Sequence, residues 1–305
     1  MRKPRALKPG DLVRVVSPAS PLTAEQTADG VSLLESEGYR VSLGAHVFES
    51  DGYLAGTDQD RASDLMSAFA DPEVACVMCS RGGYGCARLM PFLDLDAMAA
   101  SGKMFCGFSD VTTLHIALNR RGLVTMHMPM LLTLSVEREP WVIESFRRLL
   151  RGDASAPCGA KRGQTLVAGI AEGVATGGCM SLLGDSLGTP EALETEGRIL
   201  MIEDVDETPQ RVDAGLTQLI NSGLLQSCAG IVIGEMSGTD EKMDEKTGRW
   251  NWRTIVEDRV RPIGVPAVYD FPIGHMKAML SVPLGVRARL DANAGTLTYI
   301  EPPCS

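Results

Sequence analysis

No stretch of this 305-residue chain approaches the ~20 consecutive apolar residues that span a bilayer, so no membrane partner is expected. Residues Met1 to Pro9 are basic, but the apolar run behind them, Leu12 to Val16, is broken by Arg14 and stops at Pro18. That is too short for a secretory signal core, and a cytoplasmic protein is expected. Basic side chains are also in the minority, 29 against 39 acidic ones, for a formal net charge of -10. A nucleic-acid partner would want a basic face, which argues against one here while leaving room for a small basic pocket. There is no Gly-Lys-Ser/Thr phosphate loop, and a dinucleotide fingerprint opened by Gly83 and Gly85 would need glycine where Arg88 stands. Metal spacing is incomplete as well. Cys76 and Cys79 lie three apart on a strand-like run and so face opposite sides, and neither a second cysteine pair nor a nearby histidine joins them and Cys86. Buried free thiols are expected, with no metal and no cofactor.

What is present is an ordinary globular balance, 44% hydrophobic and 22% charged, at a length that allows two domains. Strand-like and helix-like patterns alternate in the first part. Strands are expected at Asp11 to Val16, Tyr39 to Leu43, Val74 to Cys79 and Met104 to Phe108. Helices are expected at Ala24 to Glu37, at Asp58 to Ala70 and in the stretch after Gly85. Such alternation predicts a parallel sheet covered by helices. A helix over Trp141 to Leu150 leads into Gly152, Pro157 and Gly163, read as a linker. Beyond it, strands are expected at Gln164 to Ala171, Val174 to Ala175, Arg198 to Ile202 and Gly230 to Gly234, with a helix over Gln210 to Ser222. The domains are therefore expected at 1–135 and 165–305, joined by 136–164.

Gly107-Phe108-Ser109-Asp110 stands where an apolar run gives way to the helix-like stretch Val111 to Asn119. A serine at such a turn can cap the helix. It can also be a nucleophile presented at the C-terminal edge of the sheet, with the first helical amides as donors for an oxyanion. Only four histidines could act as its base. His115, six residues on, lies about 240° around the same helix. His46 has no acid placed beside it by sequence, and His127 among methionines reads as core. His275, directly behind Gly274, can enter a cleft or sit in a surface loop. An orienting acid could come from Glu203-Asp204, where the apolar strand Arg198 to Ile202 stops. With Asp206 and Glu207 these acids also admit a divalent-metal reading. The loop Ser80-Arg81-Gly82-Gly83-Tyr84-Gly85 fits an oxyanion-binding turn better than a nucleotide cradle.

These motifs together resemble the LD-carboxypeptidases. Ser80 to Gly85 and Gly107 to Asp110 match the N-terminal pair. Gly177 to Leu183 with Leu187 to Pro190, Ile202-Glu203-Asp204 with Arg211 to Leu219, and Gly274-His275 with Val282 to Gly285 match the rest in order. The resemblance implies a flavodoxin-like N-terminal α/β domain, a smaller β-rich C-terminal domain and usually a homodimer. It implies a Ser109–Glu203–His275 triad and an oxyanion hole from the backbone of Gly83 and Asp110. It further implies removal of the terminal D-alanine from a muropeptide tetrapeptide. Arg81 is a candidate anchor for the terminal carboxylate, or a partner for a structural acid. Cys179, where many relatives carry asparagine, and Ser237 to Trp252 depart from the family pattern and leave substrate preference open. Microcin C immunity peptidases are a sister possibility, with Trp250 or Trp252 as a platform for a base. A two-lobed binding protein without catalysis, and a metal hydrolase using Glu203, Asp204 and Asp206, are the other readings.

Overall fold

The computed structural model describes residues 1–305 and divides them into two compact units. The first holds Met1–Ala154, Ser281–Gly285 and Pro302–Ser305; the second holds Ser155–Leu280 and Val286–Glu301. Helix Pro140–Leu150, expected as part of a connection, thus belongs to the first unit. There it buries Trp141, Val142, Phe146, Leu149 and Leu150, an apolar stripe at helical spacing.

Five parallel strands form the first sheet: β1 (Leu12–Val16), β2 (Arg40–Leu43), β3 (Val74–Cys79), β4 (Met104–Gly107) and β5 (Thr125–His127). They lie in the order β2-β1-β3-β4-β5, and Val282–Leu284 adds antiparallel to β5. That is the flavodoxin-like order expected, and it reverses between β1 and β3. Every residue of β3 is buried, as a central parallel strand covered on both faces requires. Helix Asp58–Ala70 begins at Thr57, whose hydroxyl accepts the Asp60 amide at 3.2 Å. It buries Leu65 and Phe69, and also Arg61. The chain leaves β1, β3 and β4 at one sheet edge, giving Ser17, Ser80 and Phe108-Ser109 neighbouring exits.

The second unit contains β6 (Gln164–Val167), β7 (Ile170–Cys179), β8 (Ile199–Val205), β9 (Gly230–Ser237) and β10 (Ala267–Tyr269). β7, β8, β9 and β10 run parallel, β6 pairs antiparallel with β10, and Arg287–Asp291 and Thr296–Tyr299 extend the other edge antiparallel. The expected short strands around 164–175 are in fact β6 and one long β7. Gly173, Gly177 and Gly178 inside β7 dilute its strand pattern. No helix is long and apolar enough to cross a membrane.

Candidate active site

Ser109, Asp110, Gly83 and Arg81 belong to the first unit, Glu203 and His275 to the second. Ser109 lies in a tight turn, Ser109–Val111, between β4 and helix Thr112–Arg120. Its φ is +66°, one of three positive values at non-glycine residues. A left-handed serine costs on the order of 1–3 kcal/mol and persists only where its surroundings impose it. The helix that follows has its N-cap position at Val111, two residues beyond the serine.

The glycine loop after β3 packs on this turn. A Cβ on Gly82 would stand 2.8 Å from Ser109 Cβ, 2.9 Å from its Oγ and 3.5 Å from the Asp110 amide nitrogen. Only glycine permits this approach, and it places the loop backbone beside both the hydroxyl and that amide. The loop is tied down at each end. Ser80 Oγ lies 2.7 Å from Ser17 Oγ, Tyr84 N donates to Ser20 Oγ at 3.2 Å, and the Cys86 amide donates to Asp110 Oδ2 at 2.8 Å. Arg81 donates from Nε to Gly82 O at 3.2 Å and from Nη1 to Pro21 O at 3.1 Å, so its guanidinium holds loop carbonyls.

In the second unit, Glu203 Oε2 lies 2.7 Å from His275 Nδ1; the glutamate side chain is 0% exposed and the histidine 16%. The carboxylate holds Nδ1 protonated, which leaves the lone pair on Nε2, the tautomer a general base needs. Burial pushes the His275 pKa down, but the charge and hydrogen bond of Glu203 outweigh it, helped by Asp204 and Asp206, and the result lies above 6.5. Gly274, at φ +96°, lets the chain pass close over Glu203, whose Oε2 a Cβ there would strike.

The strand carrying Glu203 does not stop at Ile202. β8 continues to Val205, and both acids are buried inside it. β8 lies between β7 and β9, and each carboxylate has local partners that make burial tolerable. Asp204 accepts from the Ser181 and Val205 amides, each at 2.8 Å, and from Cys179 Sγ at 3.2 Å. Burial raises its pKa. Glu203 and Asp204 therefore serve different partners, and no group of three or more His, Cys, Asp or Glu side chains is arranged to hold a metal ion. Cysteines 76, 79 and 86 are buried and free.

The other histidines separate by environment. His115 lies against Gly107 O at 2.9 Å and burial drives its pKa to about 3. His127 is buried beside Phe108. His46, with no acid placed beside it by sequence, has Asp64 Oδ1 2.9 Å from its Nδ1, supplied by the helix after β2. The pairing spans 18 residues and leaves no local trace in the sequence.

Residues 13–128 match the LD-carboxypeptidase N-terminal domain and residues 172–290 its C-terminal domain. The murein tetrapeptide carboxypeptidase of Pseudomonas aeruginosa is 34% identical, over 92% of this chain and 93% of its own length. The solved muramoyltetrapeptide carboxypeptidase of Oxalobacter formigenes superposes with a TM-score of 0.83 at 27% identity, covering 94% of this chain and 97% of that one. A microcin C7 self-immunity protein shares the fold, with a TM-score of 0.89 at 24% identity over 100% of both chains. Both family domains are present in order, the strained serine within the first and the buried Glu–His pair within the second, and the chain belongs to the LD-carboxypeptidase family as a serine carboxypeptidase.

Proposed function

We propose that the protein releases the terminal D-alanine from muropeptide tetrapeptides, in the cytoplasm and as a homodimer, without a metal. Ser109 is the nucleophile, His275 the base, and Glu203 the acid that orients the imidazole and stabilises the charged form it takes on in the reaction. The buried Glu203–His275 hydrogen bond of 2.7 Å carries this reading, since it fixes the tautomer that can accept a serine proton. Attack by Ser109 Oγ on the carbonyl before D-alanine passes its proton to His275 Nε2. Collapse of the tetrahedral intermediate returns that proton to the leaving amine, and water then clears the acyl-enzyme by the same route. The backbone amides of Gly83 and Asp110 receive the oxyanion. The substrate follows from the relatives' names, murein tetrapeptide and muramoyltetrapeptide carboxypeptidase.

The test is D-alanine release from a tetrapeptide by wild type and Ser109→Ala, each with and without chelator. Release that resists chelator and disappears in the variant supports the reading. A folded wild type that releases nothing removes the substrate, and aminoacyl nucleotides become the next substrates to try. Loss of activity on chelation points to the metal hydrolase instead.

A further inference from the structure

Arg61 is 1% exposed, although arginine is seldom fully buried. Its Nη1 donates to Pro18 O and, at 3.1 Å, to Gly85 O, and its Nη2 donates to Asp58 Oδ1. Asp58 also receives Arg88, from Nε at 2.9 Å and Nη2 at 2.8 Å. One carboxylate thus answers two guanidinium groups, and the two backbone carbonyls take up much of the polarity of Arg61. Its Nε is buried with no hydrogen-bond partner, an arrangement that costs stability. The side chain is seated for what the end of its fork reaches.

Pro18 follows β1 and Gly85 closes the glycine loop after β3, the two strands between which the sheet order reverses. The Gly85 carbonyl and the Cys86 N–H are the two poles of one peptide unit. Arg61 holds the carbonyl pole; Asp110 Oδ2 holds the N–H pole at 2.8 Å. A rigid planar group therefore connects a buried guanidinium to a buried carboxylate, with a charge strengthening each hydrogen bond. That carboxylate belongs to the residue beside Ser109. A Cβ on Gly85 would lie 2.7 Å from Arg61 Nη1, so glycine is what admits the guanidinium here.

We propose that Arg61 is a positioning residue for acyl transfer: through the Gly85–Cys86 peptide it sets where the glycine loop and the Asp110 amide stand against Ser109 Oγ. The inference rests on the reading of Ser109 as nucleophile and adds a residue remote from the reacting atoms.

The experiment is steady-state D-alanine release by wild type, Arg61→Met, Arg61→Lys, Gly85→Ala and the Arg61→Lys/Gly85→Ala double variant, each checked for folding by circular dichroism and Tm. Arg61→Met is expected to lose about 10²-fold in kcat with KM near wild type, the effect of a small misplacement of reacting groups. Arg61→Lys keeps the charge without the fork and falls between. The double variant is no slower than the slower single one, because both break the same link. A purely structural role lowers Tm and leaves kcat of the folded protein unchanged, and that result in Arg61→Met overturns the proposal. Should Arg61→Met not fold, wild-type kcat in both Arg61→Lys and Gly85→Ala overturns it. If wild type releases no D-alanine, the substrate reading fails separately, and the rate of Ser109 labelling by a fluorophosphonate replaces kcat. Equal labelling of wild type and Arg61→Lys then overturns the role of Arg61, and no labelling of wild-type Ser109 overturns both assignments.

Discussion

Gly82 and Ser109 approach so closely that a single added methyl group would sit 2.8 Å from the serine Cβ. The contact joins the loop after β3 to the turn after β4, and it makes the position of the hydroxyl depend on a residue without a side chain. Gly82→Ala must push the loop away or turn the serine. It is expected to lower kcat about 10²-fold while Tm stays near wild type. Steady-state kinetics beside a melting curve check this, and a fully active Gly82→Ala enzyme would show that the close packing is incidental.

The pair Glu203–His275 sets a pH dependence with a definite sign. The folded-state pKa of His275 lies above 6.5, mainly because the glutamate charge and hydrogen bond overcome the effect of burial. In the proposed role of base it must be neutral, so kcat/KM should rise with pH through a midpoint above 6.5. Glu203→Gln removes the charge and should move the midpoint down, with kcat falling on the order of 10³–10⁴-fold. A midpoint that does not move would remove Glu203 from the role assigned to it. The same pair stabilises the fold fully below 6.5, and that contribution is lost as the pH rises through the folded-state pKa.

His115 acts in the opposite direction. Burial holds its pKa at about 3, despite the hydrogen bond to Gly107 O. Above 6.5 it is neutral in both the folded and unfolded states. Between 6.5 and about 3 the unfolded chain takes up a proton that the folded one refuses, so stability falls as the pH falls. His46, whose pKa is raised by its hydrogen bond to Asp64, opposes this trend, so a variant is needed to isolate the effect of His115. Urea midpoints at pH 7.5 and pH 5 should draw apart less in His115→Gln than in wild type. Equal separation in the two proteins would assign the acid sensitivity elsewhere.

Much of the fold was legible because the local pattern and the tertiary demand coincide. Val74 to Cys79 is a continuous apolar run because it is a central strand buried on both faces, and Asp58 to Ala70 opens with its own cap. The reading failed where chemistry runs against pattern. Glu203 and Asp204 look like a strand end, yet β8 continues through them because His275, the Ser181 and Val205 amides and Cys179 make their burial tolerable. The glycines of β7 hid one long strand as two short ones. Ser109 was visible as a serine at a turn, whereas its left-handed backbone and the need for glycine at 82 arise from packing between loops. Arg61 gave no signal at all, since an arginine in a helix of mixed character reads as surface.

The most direct test is a rapid-quench reaction of the enzyme with an excess of muropeptide tetrapeptide, reading D-alanine release and intact protein mass together. A burst of D-alanine of up to one equivalent per enzyme is expected. The burst should coincide with a mass gain equal to the substrate less D-alanine, mapped to Ser109 and absent in Ser109→Ala. Release of D-alanine by a folded Ser109→Ala protein, or an adduct on another residue, would contradict it.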